Sequence, residues 1–289
     1  MKKLFMILVI SVIVLSGCTN KEDKSLTIGL MPGSSQMPIE YAIATDMYKN
    51  KGYDVKVEYF KSAQDRQAAF TSGKVDLISG ELTSLFNLLN QNIDVKAIGG
   101  AASTFKLVAN ADKFKTIGIS ENTSIEYYAD YYMDLYNKQI NKKAIPSMSD
   151  RLSSLLSDSI DSAIMPEPYA TTAVEGGSKV IWSTNQEGVP QIGLYIFDSS
   201  IDDSILKDFY TITNEAIDKM NEVGPSEYKD IIIKSGIVEE SSFDAITKEE
   251  IPNFITPDKD TWKLLNDWSK EKGIVTKDYN YSDYMVSNV

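Results

Sequence analysis

Asp65-Arg66-Gln67-Ala68-Ala69-Phe70-Thr71-Ser72-Gly73-Lys74-Val75-Asp76 returns about 85 residues later as Asp150-Arg151-Leu152-Ser153-Ser154-Leu155-Leu156-Ser157-Asp158-Ser159-Ile160-Asp161. Each stretch reads as a helix, a turn and the start of an apolar strand, and each sits inside a longer match. Thr27-Ile28-Gly29-Leu30 pairs with Thr116-Ile117-Gly118-Ile119, and Ile39-Glu40-Tyr41 with Ile125-Glu126-Tyr127. Ser79-Gly80-Glu81 stands opposite Met165-Pro166-Glu167, and Val95 to Gly99 opposite Val180 to Ser183. The matches keep their order and nearly their register. The period is too long for a solenoid repeat, so what is duplicated is a unit the size of a lobe.

Working outward from the repeat, each copy alternates strand and helix. Leu26–Met31 is a short apolar strand ending in the turn Pro32-Gly33-Ser34-Ser35. Pro38–Asn50 carries apolar residues at helical spacing and stops at Lys51-Gly52. Asp54–Phe60 reads as a strand, Ser62 to Ser72-Gly73 as a helix, and Val75–Ser79 as a strand. Leu82–Gln91 is a helix and Val95–Gly99 a strand, and the second copy follows from Thr116 to Trp182. This rhythm implies α/β lobes built on parallel strands. The fold expected is two similar Rossmann-like α/β lobes joined by a hinge, with a ligand cleft between them. Lobe 1 comprises residues 26–103 and 196–289, and lobe 2 residues 104–195. The crossings lie near Ala101–Thr104 and Gln191–Tyr195, and the helical tail after Asp202 is expected to pack on lobe 1. Lobes linked by two crossings close by hinge motion, and such sheets bind ligands outside the carboxyl ends of their strands.

The first 25 residues are of a different kind. Met1-Lys2-Lys3 is basic, Leu4–Leu15 is apolar except for Ser11, and Leu15-Ser16-Gly17-Cys18 follows. The apolar run is shorter than the ~20 residues a spanning helix needs, and it fits a secretory signal over residues 1–17. The small residues before Cys18 make a lipobox, which implies lipidation at Cys18, and residues 18–25 form a polar tether.

Composition removes several function classes. The 289-residue chain has no histidine and one cysteine. No Ser-His-Asp or Cys-His catalytic arrangement can be assembled, nor any His/Cys metal site. Neither a GxxxxGK[ST] loop nor a GxGxxG fingerprint is present. Lys plus Arg total 29 against 41 Asp plus Glu, a formal charge of −12 without basic clusters, which argues against nucleic acid as a partner. No cofactor or metal is implied.

The lipobox, the opening Leu26-Thr27-Ile28-Gly29, Val55-Lys56-Val57-Glu58-Tyr59, Ser72-Gly73-Lys74-Val75-Asp76 and Pro166-Glu167-Pro168-Tyr169-Ala170 come in an order that resembles a known family. It is that of the extracytoplasmic substrate-binding proteins of ABC transporters, in the group serving nitrate, sulfonates, taurine and thiamine-pyrimidine precursors. The resemblance covers roughly residues 26–200. It implies the type II periplasmic-binding-protein fold and a monomer anchored by lipid on the extracytoplasmic face of the cell membrane. It further implies capture of a small polar organic molecule or anion and delivery to a permease and its ATPase. An enzyme on the same fold and a ligand-sensing surface lipoprotein are the alternatives. The thiamine-pyrimidine synthases of this fold use His and a cysteine-rich motif, and this chain has neither.

The resemblance turns the loops at strand ends into candidate ligand contacts. Asn122, Thr123 and Ser124 open a helix whose free N–H groups suit an anionic or polar ligand group. Ser34, Ser35 and Gln36 form the equivalent loop in lobe 1. Glu81 and Glu167 occupy matching positions where a carboxylate can accept from an amine or amidine, and Tyr169 follows Pro168 as an aromatic contact. Arg66 and Arg151, the only arginines, are possible anion contacts, or structural partners of Asp65 and Asp150. The tyrosines at 127, 128, 131 and 132, an aromatic stripe at helical spacing, read as packing.

Overall fold

In the computed structural model, which describes residues 24–101, 103–249 and 253–286, the duplicated pattern becomes two mixed sheets. The signal peptide, Cys18 and most of the tether lie outside the described residues. The first copy runs β1 (Lys24–Leu30), α1 (Met37–Ala44), α2 (Met47–Asn50), β2 (Tyr53–Tyr59), α3 (Ala63–Thr71), β3 (Leu77–Glu81), α4 (Leu82–Asn90) and β4 (Val95–Ala101). The chain then crosses and continues β5 (Phe105–Ala109), β6 (Thr116–Ile119), α5 (Ser124–Leu135), β7 (Asn141–Ala144), α6 (Met148–Leu156), β8 (Ser162–Pro166), α7 (Tyr169–Glu175) and β9 (Lys179–Ser183). It returns through β10 (Gly193–Asp198) and ends in α8 (Asp203–Val223), α9 (Pro225–Ser235), α10 (Glu240–Glu249), β11 (Phe254–Ile255), α11 (Lys259–Glu271) and α12 (Tyr281–Tyr284).

The strand orders are β11-β4-β10-β3-β1-β2 and β7-β6-β8-β5-β9. Once β11 is set aside, they superpose as one pattern. In each, parallel strands lie beside an antiparallel strand supplied by a crossing: β10 in the first sheet, β5 in the second. Residues 105–109, to which the sequence reading gave no element, form strand β5. One boundary is corrected here. Lobe 1 resumes at Gly193, not 196, because Gly193 already pairs with Glu81 and Leu194 with Gly99. The expected single helix over 38–50 is also two. Asp46 takes φ 58, and the Thr45 hydroxyl donates to the Tyr41 carbonyl at 2.7 Å, so side-chain bonding competes with helix propagation.

The repeated residues have local reasons. Asp76 accepts the Thr27 N–H at 2.6 Å, and its counterpart Asp161 accepts those of Lys115 and Thr116 at 2.8 and 2.9 Å. Each carboxylate ties the backbone of a parallel strand, β1 in lobe 1 and the start of β6 in lobe 2. The backbone N–H of Lys115, followed by that of Thr116, holds the Asp161 carboxyl below its ordinary pKa. Asp65 and Asp150 are capping residues: their N–H groups donate to the helix-capping hydroxyls of Ser62 and Ser147. Neither makes an ion pair with the adjacent arginine. Gly118 lets α6 lie close over its sheet; a Cβ there would come within 2.6 Å of the Ile160 side chain and 3.0 Å of the Arg151 side chain.

The tail packs on lobe 1 as α8 lies against α1 and α2, with Tyr48 stacked on Phe209 at 5.9 Å and bonded to Thr213 at 3.0 Å. Farther on, α11 covers α4 through Phe86 and Trp262, whose rings meet edge-to-face at 5.0 Å. The tail also reaches lobe 2, where Trp268 packs edge-on to Tyr127 at 5.5 Å. One core therefore runs through the hinge, from Phe86 and Trp262 to Phe105, Tyr128 and Trp182.

Arg151 shows what the repeat does not preserve. It is fully buried, and its guanidinium donates to the carbonyls of Ile145 at 2.7 and 3.1 Å, Ile164 at 3.2 Å and Pro146 at 3.4 Å. Burial presses its pKa down to about 10, so it remains charged at neutral pH. This fork ties α6 and the preceding loop to β8 and is unavailable to a ligand. Arg151→Lys keeps the charge but cannot reach these acceptors together. It is expected to cost about 2–4 kcal/mol and to lower Tm by about 5–10 °C in thermal denaturation. A shift under about 2 °C would contradict the assignment.

Candidate functional site

The carboxyl ends of β1 and β3 in lobe 1 face β8, β5 and the start of α5 in lobe 2. Between them lies a cavity of about 60 Å³. Lobe 1 lines it with Met31, Ser35, Gln36, Arg66, Ser79 and Glu81. Lobe 2 contributes Phe105, Tyr128, Met148 and Pro166, and the crossings add Ser103 and Gln191. A small extension runs past Glu81 to Ser120, Thr123 and Ser124 at the start of α5. Outside it opens a groove lined by polar side chains, among them Gln64, Gln67, Asn87, Gln91 and the acidic Glu121.

The polar groups of lobe 1 are already organised. The Gln36 amide donates to Ser35 at 2.8 Å and Ser79 at 3.1 Å, while its Oε1 is buried without a hydrogen-bond partner. Arg66, 3% exposed, sends Nη2 to Ser84 at 3.2 Å and to Glu81 at 3.4 Å. Ser84 also donates to Glu81 at 3.3 Å. Glu81 thus faces the cavity with only long contacts on Oε2. Across the cavity, burial pushes the Tyr128 phenol pKa upward, and the protonated hydroxyl donates to the Pro190 carbonyl at 2.9 Å.

The structure brings some expected contacts together and sets others apart. Ser35, Gln36, Glu81, Thr123, Ser124 and Arg66 line the cavity or its extension. The Thr123 hydroxyl is occupied as the cap of α5, accepting from Ile125 at 3.2 Å and donating to the Ser120 carbonyl at 2.6 Å. Asn122 lies at the outer mouth with φ 59; its N–H donates to Glu126 and its carbonyl accepts from Asn87. Ser34 is buried behind the loop, its N–H directed at the Glu167 carbonyl 3.4 Å away. Glu167 is fully buried, with Oε1 2.7 Å from Lys106 Nζ and Oε2 accepting the Thr171 N–H at 2.9 Å. Its carboxylate holds β5 and α7 together and does not line the cavity; Tyr169 does not line it either. Ser79, Ser103, Tyr128 and Gln191 do line it. The rule that ligands sit at strand carboxyl ends would have flagged Ser79, two residues before Glu81. Tyr128 was hidden within an aromatic stripe otherwise committed to packing around Trp182.

Several contacts hold the lobes together. Besides Ser34 with Glu167, Asn87 Nδ2 donates to the Asn122 carbonyl at 2.9 Å and Gln64 Nε2 reaches Ser120 at 3.4 Å. On the α11 side, Lys272 lies 2.7 Å from Asp130 and 3.3 Å from Glu126, while Lys142 lies 2.8 and 2.5 Å from the same two carboxylates. Trp268 Nε1 adds a 3.1 Å bond to Asp130. Burial alone would raise both carboxyl pKa values. The hydrogen bond from Lys142, together with the Asn122 N–H and Lys272 at Glu126 and with Lys272 and Trp268 at Asp130, outweighs it, and both are held below the ordinary range.

No protein-family model matches the chain. A putative ABC transporter periplasmic binding protein of Brachyspira hyodysenteriae is 26% identical over 114 residues, which is 37% of this chain and only 33% of that protein's length. Solved structures match over nearly the whole fold. The ligand-binding component of an ABC-type import system from Staphylococcus aureus, described with zinc bound, aligns with TM-score 0.77 at 12% identity, over 91% of this chain and 96% of that one. The alkanesulfonate-binding protein SsuA of Xanthomonas axonopodis pv. citri, bound to MOPS, aligns with TM-score 0.77 at 12% identity, over 92% and 99%. The periplasmic aliphatic sulphonate binding protein SsuA of Escherichia coli aligns with TM-score 0.73 at 13% identity, over 90% and 96%. The chain has the type II periplasmic-binding-protein fold.

The Glu126–Asp130 cluster gives a signed pH dependence. Both carboxyls are depressed in the folded state, so their contribution is complete above the unfolded pKa values of about 4 and is lost as pH falls below them. Thermal stability is expected to drop between about pH 4 and 2, and less steeply in Lys272→Met. Parallel Tm–pH curves for the two proteins would show that Lys272 does not support these charges.

Proposed function

We propose that this chain is the solute-binding component of an ABC importer, anchored by lipid at Cys18 on the extracytoplasmic face of the membrane. It captures a small polar organic molecule or anion between its lobes and hands it to a permease driven by an ATPase. The observation that carries this reading is the closed interlobe cavity, to which both lobes and both crossings contribute side chains. A ligand there touches groups that come together only when the lobes meet. It binds the closed state better than the open one, and this difference is what drives closure.

The chemistry supports binding rather than turnover. The ionisable groups on the cavity wall are Arg66, Glu81 and Tyr128. Arg66 and Glu81 contact each other, and the Tyr128 hydroxyl is spent on a backbone carbonyl. The sulfonate relatives and the partial match to a transporter component point the same way at the level of ligand class. Zinc does not carry over from the Staphylococcus aureus protein. The sequence has no histidine, and no three Cys, Asp or Glu side chains group as metal ligands among the described residues.

Two measurements test the reading. Native mass spectrometry of the purified protein is expected to show a bound small molecule, or else a panel of sulfonates, carboxylates and aminopyrimidines to raise Tm for at least one member. A well-folded protein that neither carries nor accepts any solute would overturn the binding role. For the anchor, metabolic labelling with palmitate is expected to mark the wild type and not Cys18→Ser, which should leave the membrane fraction. Equal membrane retention of the two would refute lipidation at Cys18.

A further inference from the structure

We infer, resting on the solute-binding reading, that the solute is a small neutral amide or urea: its carbonyl accepts from Arg66 Nε, its N–H donates to Gln36 Oε1, and its apolar flank lies on lobe 2. The first support is two unmade hydrogen bonds of opposite sense. Gln36 and Arg66 are 5% and 3% exposed and line the same cavity. Gln36 spends its N–H groups on Ser35 at 2.8 Å and Ser79 at 3.1 Å, which leaves Oε1 a buried acceptor without a donor among the described residues. Arg66 directs Nη2 at Ser84 and Glu81, and its Nε is a buried donor without an acceptor among the same residues. A buried group left unmade costs free energy. One planar group with a carbonyl beside an N–H satisfies both. A carboxylate or sulfonate satisfies only the donor and sets an oxygen against Gln36 Oε1.

The second support is charge. Arg66 and Glu81, the cation and the anion of the cavity wall, lie 3.4 Å apart, and the Lys106–Glu167 pair behind them is matched at 2.7 Å. An anion enclosed here would be buried beside the Glu81 carboxylate, and a cation beside the Arg66 guanidinium; a neutral solute incurs neither cost. The third support is size and the opposite wall. The cavity, about 60 Å³, is several times the ~10–15 Å³ that one water needs, which is room for about four to six non-hydrogen atoms. Lobe 2 faces it with Phe105, Met148, Pro166 and the ring of Tyr128, whose hydroxyl is bonded to Pro190. A short amide has the matching shape, one polar edge for lobe 1 and a hydrocarbon flank for lobe 2. Such a solute sets this chain apart from the sulfonate-binding proteins that share its fold.

The test uses isosteric pairs that exchange NH2 for O⁻, titrated calorimetrically at neutral pH into the purified protein after native mass spectrometry of any solute it carries. The pairs are acetamide with acetate, propionamide with propionate, and methanesulfonamide with methanesulfonate; urea is titrated alone. The best-bound amide is expected to be held at least about tenfold more tightly than its acid, the scale of one hydrogen bond made or lost at a buried group. In Gln36→Leu, which removes the acceptor, that preference should shrink to about threefold or less. Gln36→Glu keeps an acceptor at the same reach and guards against a merely structural effect. It should hold the amide within about threefold of wild type and weaken the acid further. Acids bound as tightly as their amides, or a preference unchanged in Gln36→Leu, would overturn this inference and leave the solute-binding reading standing. So would a carried solute that is charged or lacks an amide or urea group, should no member of the panel bind; a carried amide or urea would support it. A protein that binds no member and carries no solute would overturn both.

Discussion

Everything about the cleft depends on where the two crossings enter the sheets. The chain leaves lobe 1 at the end of β4 and within a few residues becomes β5, paired on both sides by β8 and β9. It returns through β10, paired on both sides by β3 and β4. Each connection is thus an interior strand of the sheet it enters, fixed by ladder hydrogen bonds along its length rather than tied at an edge. The freedom left for lobe motion is confined to the few residues between ladders, and the cavity is lined at those residues, by Ser103 and Gln191. Opening about this line separates the walls of the cavity while leaving both sheets intact, as a hinge requires.

The duplicated pattern sets the scaffold, and the chemistry lies where the copies diverge. Asp76 and Asp161 do the same job, as do Ser62 and Ser147. Arg66 and Arg151 do not. Arg151 faces backbone carbonyls and stiffens lobe 2, whereas Arg66 meets Ser84 and Glu81 at the cavity wall. The two glutamates part in the same way. Glu81 ends a strand at the cleft, while Glu167 turns inward to Lys106. Lobe 1 is therefore the lobe with the charged pair at the cavity, and lobe 2 offers chiefly apolar and aromatic surface and the start of a helix.

The lobe architecture was legible because its signals are local: strand–helix alternation, turn glycines and capping serines recur at matching positions. The strand β5 was not, because Phe105-Lys106-Leu107-Val108-Ala109 lacks a counterpart in the first copy, and its pairing depends on residues more than fifty positions away. Site residues followed the same division. Loops at strand ends can be read as facing a cleft, which located Ser35, Gln36 and Glu81. Side-chain direction cannot be read this way, so Glu167 looked equivalent to Glu81 until Lys106, on the unanticipated strand, supplied its partner.

Magnitudes decide what closes the cleft. Across the mouth the lobes share the Asn87–Asn122 bond at 2.9 Å and two long contacts at 3.4 Å, from Gln64 to Ser120 and from Ser34 to Glu167. A good hydrogen bond contributes about 1 kcal/mol net and long ones less, so these together supply roughly 1–2 kcal/mol. Ordering the side chains and loops that make them costs a similar amount. Closure by these contacts alone is nearly balanced, and a ligand need contribute only a modest differential to dominate it, since each ~1.4 kcal/mol shifts the populations tenfold. Gln36 Oε1 and Arg66 Nε, buried at the cavity wall without hydrogen-bond partners among the described residues, are where such a differential is available, because their desolvation is incurred on closing whether or not a partner is present.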